Sequence, residues 1–193
     1  MYIVEEAVVK KTELFKNKVE IKGNKGFKDP AFWKLMKKVG FQVDDPWCAY
    51  YVELVWTEVY RDLGANIVVE RLTKLFSPSA VQTYKNFKKA GYPIGSVPKI
   101  GALVVWQTYN HGVKHWTGHI GIVIDCVDGY FKTSEGNTSK YPGDRDGGSV
   151  ANKEYFNYKS MFNVYDGLRL KGFVYLDDYV MNDNDKKTSA YGY

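Results

Sequence analysis

The hydrophobic period of this chain changes once, and that change does more than anything else in the sequence to limit its fold. Up to Gly91 the apolar residues recur at helical spacing, whereas from Ala102 onward they alternate or run together as in strands. Pro93, Gly95, Pro98 and Gly101 punctuate the boundary. Helices first and antiparallel strands second argue for an α+β domain, with N-terminal helices packed on an antiparallel β-sheet. At 193 residues the chain is long enough for one well-filled core, so a single domain over residues 1–180 is expected, with a frayed tail over 181–193.

Within the helical half, Val8, Val9, Leu14, Phe15 and Val19 predict a helix from Glu5 to about Glu20. A loop marked by Gly23, Gly26 and Pro30 follows, and a second helix from Pro30 to Val39 carries Phe32, Leu35, Met36 and Val39 on one side. The third helix is the most telling. Asp45 reads as its cap, Pro46 as its first residue and Cys48 as part of its first turn, with Val52, Val55, Trp56, Val59 and Leu63 continuing the buried stripe to a Gly64 cap. Such a helix is central, with its first turn open to a cleft. After Gly64 a connector leads to Ser77-Pro78-Ser79, where Ser79 caps a helix through Val81, Tyr84 and Phe87 that stops at Gly91. The strand half contains Leu103 to Trp106, Ile120 to Val127, Tyr130 to Glu135 and Leu168 to Leu176.

Cys48 at a helix start, Gly118-His119-Ile120-Gly121 and Ser134-Glu135-Gly136-Asn137 supply a nucleophile, a base and an orienting carboxylate, the parts of a cysteine hydrolase. The partial positive charge of a helix N-terminus attracts an anion to that first turn. Each residue also has a plain reading: Cys48 as a small core residue, His119 as a locally bonded strand histidine, Glu135 as a solvated charge and Asn137 as a turn former. Convergence depends on strand register. With Val127-Asp128-Gly129 as a three-residue loop and Gly129 left-handed, Cys126 pairs with Tyr130 and His119 lies opposite Asn137, diagonal to Glu135. With Asp128-Gly129 as a two-residue loop, Glu135 falls on the wrong face. The three-residue loop is predicted.

The blocks Trp47-Cys48-Ala49-Tyr50-Tyr51-Val52, Val97 to Trp106, Gly118 to Val123 and Glu135-Gly136-Asn137-Thr138 resemble, in order and spacing, those of the CHAP family, the cysteine- and histidine-dependent amidohydrolases and peptidases. The resemblance spans roughly Asp45 to Asn137. It implies a papain-like fold that cleaves amide bonds in bacterial peptidoglycan, between sugar and peptide or within the peptide. By the same resemblance Cys48 is the nucleophile, His119 the general base, Glu135 the carboxylate that orients the imidazole, and Asn137 a further polar member of the site. Ala102 stands where many relatives carry an acidic residue, at a position outside the catalytic set. Only Asp44 and Asp45 closely precede the cysteine, with Pro46 and Trp47 between, so calcium is not expected; no cofactor is called for.

Trp47, Tyr109, His115 and Trp116 are candidate groove residues for a glycan or stem peptide, with His111 and Tyr141 beside them; the last five are placed in loops, where packing is the plain alternative. His111, His115 and His119 would share a helical face suited to zinc, but Gly112, Thr117 and Gly118 make such a helix poor. Cys48 and Cys126 do not make a disulfide framework, and both are expected to be reduced. The formal charge of +5 is spread over many lysines, which suits an anionic polymer such as a cell wall, with solubility as the plain alternative, and no long basic tract suggests nucleic acid. Met1 to Glu6 lack the basic start and apolar run of a secretory signal, and no stretch is apolar enough to insert in a membrane. These features predict a monomer made in a host cytoplasm and acting on the wall or periplasm, as a phage endolysin admitted by a holin pore. An interbacterial amidase toxin, or a phage structural or wall-binding protein with an idle site, is the alternative.

Overall fold

The computed structural model describes residues 3–139 and 147–176; Tyr141 and the 181–193 tail lie outside the described residues. The helices are α1 (Ile3–Phe15), α2 (Pro30–Lys38), α3 (Cys48–Asp62), α4 (Asn66–Thr73) and α5 (Ala80–Lys89). The strands are β1 (Ile94–Gly95), β2 (Leu103–Asn110), β3 (Val113–Val127), β4 (Tyr130–Thr138), β5 (Ser149–Phe156) and β6 (Gly167–Val174), with a 3₁₀ segment at Tyr158–Asn163. The strands form one antiparallel sheet in the order β1-β6-β2-β3-β4-β5. The fold is α+β, with the cysteine helix packed on an antiparallel sheet.

Local chemistry accounts for the helix starts. Asp29 accepts from the N–H groups of Ala31 and Phe32, Pro30 takes the first position, and Phe32 and Met36, four residues apart, turn one face of α2 into the core. Ser79 accepts from Gln82 N–H and starts α5. Helix α3 differs from expectation: it begins at Cys48, its cap residue Trp47 makes no side-chain cap bond, and Asp45 instead accepts from the Tyr50 hydroxyl at 2.7 Å. Pro46 therefore precedes the helix. At the other end Gly64 takes a left-handed φ of 74° and donates to Arg61 O, as its cap role requires.

The N-terminal helix stops at Phe15, short of Glu20, because Val19 bridges to Ser149 and Glu20 to Phe27 as extended chain. The connector after Gly64 contains α4, and β1 and β5 are strands that periodicity did not announce.

One sheet face meets the helices. There Leu103, Val105, Ile120, Ile122 and Val174 join Tyr51, Val52, Val55 and Trp56 of α3 in the larger core, and Trp56 Nε1 donates to Gly101 O at 3.1 Å. On the other face Val104, Trp106, Val123, Phe131, Leu170 and Phe173 pack under Tyr158 of the 3₁₀ segment.

The β3–β4 hairpin corrects the predicted loop. Val127 pairs with Tyr130, so the turn is the two-residue Asp128-Gly129, with Gly129 left-handed at φ 74°. A β-bulge at Ile124 then shifts the register by one: Asp125 pairs with Lys132, Val123 with Thr133 and Ile122 with Ser134. Beyond the bulge the register is the one the three-residue loop would have given. The right phase is reached by a different device, because the extra residue sits in the strand and not in the turn.

Candidate active site

Cys48 is the first residue of α3, at its N-terminus, and is 6% exposed. His119 is on β3 opposite Trp106 of β2, and Glu135 is on β4 opposite Ala151 of β5. On one side the Cys48 side chain acts on the imidazole, favouring its charged form. On the imidazole's other side His119 Nε2 donates to Glu135 Oε2 at 2.8 Å, which leaves Nδ1 for the sulfur. His119 bonds Glu135 directly and interacts with Cys48, so the three side chains named from the sequence stand in a row.

The pair is buried: His119 is 4% exposed and Glu135 is 0% exposed. Burial opposes charge on His119, but hydrogen bonds and charge from Cys48 and Glu135 outweigh it and push its pKa up to about 10. Burial likewise opposes ionisation of Glu135, yet the His119 hydrogen bond and charge, Lys153 and the Thr133 hydroxyl hold its carboxyl below the usual range. An imidazolium facing a carboxylate is the state this geometry favours.

Glu135 is held by more than His119. Thr133 Oγ1 donates to its Oε1 at 2.6 Å, the Tyr155 hydroxyl donates to the same oxygen at 2.7 Å, and Lys153 Nζ stands 3.9 Å from Oε2. The Trp106 ring lies 5.8 Å from the imidazole and 5.2 Å from the Tyr155 ring. None of these four was singled out from the sequence. Thr133 was findable, two residues before Glu135 on the same strand face; Tyr155 and Lys153 were not, since β5 itself was not predicted.

Two glycines admit the row. A Cβ on Gly121 would stand 2.7 Å from Glu135 Cγ, so its absence lets the glutamate cross β3 toward His119. A Cβ on Gly136 would stand 2.5 Å from Tyr51 Cβ and 2.7 Å from the Trp47 ring, so its absence lets the start of α3 lie against β4.

The other predicted residues fare differently. Asn137 is buried with a left-handed φ of 53°, which breaks the strand alternation expected to align it with Glu135. Trp47 is no groove residue: it is 0% exposed, packs edge-on against Phe27 and donates to Glu20 Oε2 at 2.7 Å. Tyr109 is buried on β2 with the Arg169 guanidinium 3.6 Å from its ring centroid, so it packs and does not line a loop. His115 and Trp116 are on β3 and not in a loop; His115 Nδ1 bonds Thr117 Oγ1 at 2.7 Å, while Trp116 is 75% exposed. His111 sits in the β2–β3 turn and the other two histidines on a strand, so the helical face imagined for zinc does not exist.

A cleft of about 1090 Å³ opens on the sheet face that carries His119 and Glu135, lined also by Trp106, Tyr155, Met161 and Leu168. Cys48 is not part of that lining, and with so little of it exposed the first turn of α3 is nearly closed, contrary to the open turn expected. No helix among the described residues is long and apolar enough to cross a membrane.

A helix-borne thiol and a strand-borne imidazole backed by a carboxylate are the layout of an α+β thiol hydrolase. Residues 40–137, half of the chain, match the family model of the CHAP domain, and the chain belongs to that family of cysteine- and histidine-dependent amidohydrolases and peptidases. No curated protein and no solved structure matches the chain.

Proposed function

We propose that the protein hydrolyses an amide bond of bacterial peptidoglycan, as an N-acetylmuramoyl-L-alanine amidase or an endopeptidase, in phage-driven lysis. The observation that carries this reading is the buried His119–Glu135 pair at 2.8 Å, with the Cys48 side chain acting on the same imidazole, in a chain of the CHAP family. His119 becomes the imidazolium by holding the thiol proton of Cys48, and the thiolate left by that transfer attacks the amide carbonyl carbon. The first-turn N–H groups of α3, which carry no side-chain cap, stabilise the resulting oxyanion. As the C–N bond breaks, His119 returns its proton to the leaving amine and a thioester remains. Water attacks that thioester with His119 as base, releasing the acid and restoring the thiol.

In this reading Glu135 keeps Nε2 protonated and Nδ1 turned to sulfur. The partner is the wall itself, met by a monomer that reaches it through a holin pore, and the excess of lysine favours that anionic encounter. Lysis of purified peptidoglycan tests the proposal. Cys48→Ala is expected to abolish it while the fold is kept, and Glu135→Gln to lower it by roughly 10²-fold, a smaller loss because the carboxylate only orients. A Cys48→Ala protein that still clears peptidoglycan would overturn the mechanism. Mass spectrometry of the fragments identifies which amide is cut.

A further inference from the structure

We infer that Tyr155 and Thr133 are positioning residues of this site: their hydroxyls hold Glu135 Oε1 from two neighbouring strands, so that Oε2 alone is turned to the His119 imidazole. This rests on the Cys48–His119–Glu135 reading above.

A carboxylate has about four acceptor positions shared by two oxygens, and in a buried site any left unfilled is costly. Here Oε1 accepts from Thr133 at 2.6 Å and from Tyr155 at 2.7 Å, while Oε2 accepts from His119 at 2.8 Å. Both donors are fixed before they reach the carboxylate. Thr133 is fully buried on β4, two residues from Glu135, and pairs with Lys153 of β5. The Tyr155 ring stacks on Phe131 at 4.9 Å and 24° and lies against Trp106, which also flanks His119. Burial and the Glu135 charge push the Tyr155 phenol well above its ordinary range, so it remains a donor throughout neutral pH. The charged or titratable groups facing Glu135 are His119 from β3 and Lys153 and Tyr155 from β5, with Cys48 of α3 beyond the imidazole. Lys16, Lys132, Glu154 and Asp166 stand further out around the cleft.

With one hydroxyl removed, the carboxylate loses stabilisation in a place where burial already disfavours its charge. Glu135 then takes up its proton at higher pH, and the imidazolium it supports is lost with it. A residue that merely packs would lower stability or rate without moving that titration.

The test is the pH dependence of Cys48 alkylation by iodoacetamide, which needs no substrate, on full-length protein whose fold is checked by near-ultraviolet circular dichroism. In Tyr155→Phe and in Thr133→Val the acid limb of the rate profile is expected to move up by about one pH unit, and in Thr133→Ser to stay where the unsubstituted protein has it. An unmoved acid limb in folded Thr133→Val and Tyr155→Phe would overturn the inference. Should Tyr155→Phe not fold, the Thr133 pair decides by the same criterion. Cys48 in the unsubstituted protein reacting no faster than free cysteine at any pH would instead overturn the underlying cysteine–histidine reading, so the two failures are distinguishable.

Discussion

A side chain at position 121 would have to share space with the glutamate that crosses it, because a Cβ there would lie 2.7 Å from Glu135 Cγ. Gly121 is in the middle of β3, where alanine is allowed by the backbone, so the conflict falls on the carboxylate. Gly121→Ala is expected to displace Glu135 from His119 and cut peptidoglycan lysis by roughly 10²-fold, the scale of a misplacement near 1 Å. Its overpacking cost should stay near 1–3 kcal/mol, so the protein remains folded. Turbidity clearing and thermal melting on the same sample check this; a melting change with full activity would show that the carboxylate moves aside freely. At this scale the placement of Cys48 at a helix start and the pairing of His119 with Glu135 were legible, since each residue stands in a short pattern with a chemical purpose. The sequence misled for Trp47, a candidate groove residue whose ring fills the core and whose N–H is taken by Glu20.

Helix α3 is buried on nearly all sides, from Cys48 and Ala49 through Val52, Val55 and Trp56 to Tyr60, which makes it a fixed strut for the thiol and not a surface helix with one apolar stripe. That enclosure has a cost at Glu53, whose pKa burial pushes up to about 8 from an ordinary 4.5. The folded protein therefore keeps a proton that the unfolded chain loses, and stability falls as pH rises from about 4.5 toward 8. Glu53→Gln removes the penalty. Its melting temperature is expected to exceed that of the unsubstituted protein by several degrees at pH 8 and to match it at pH 4, as differential scanning calorimetry would read. An equal gain at both values would place the effect in packing and not in ionisation. Helices α2 and α5 were legible because Asp29, Pro30 and Ser79 carry their start signals in the sequence. Strand β5 was not, since Asn152, Lys153 and Glu154 interrupt its apolar pattern and pairing with β4 and with the distant segment Asn17 to Val19 holds it extended.

For the molecule as a whole, the buried His119–Glu135 pair ties stability to pH from both sides. The Glu135 contribution is complete above its ordinary 4.5 and is lost as pH falls through the lower folded value. The His119 contribution is complete below its ordinary 6.5 and fades as pH rises through about 10. The pair therefore stabilises the fold most between about pH 4.5 and 6.5, titrating as a unit. Urea denaturation from pH 3 to 10 should show both slopes, and Glu135→Gln should flatten them; slopes unchanged in that variant would remove the pair from the account.

The order of periodicities and the short patterns around each helix start are properties of neighbouring residues, and for that reason the sequence by itself determined the α+β class and the place of Cys48 at a helix start. Where contact between distant segments sets the answer, only the tertiary structure decided it. The bulge at Ile124 puts Glu135 in phase with His119, Gly136 lets the cysteine helix close on β4, and Tyr155 arrives from a strand held by pairing with β4 and with the chain at Asn17 to Val19. The physical reason is one of range: caps and periods act within a turn or two of the chain, while register and burial arise from packing that no local pattern encodes.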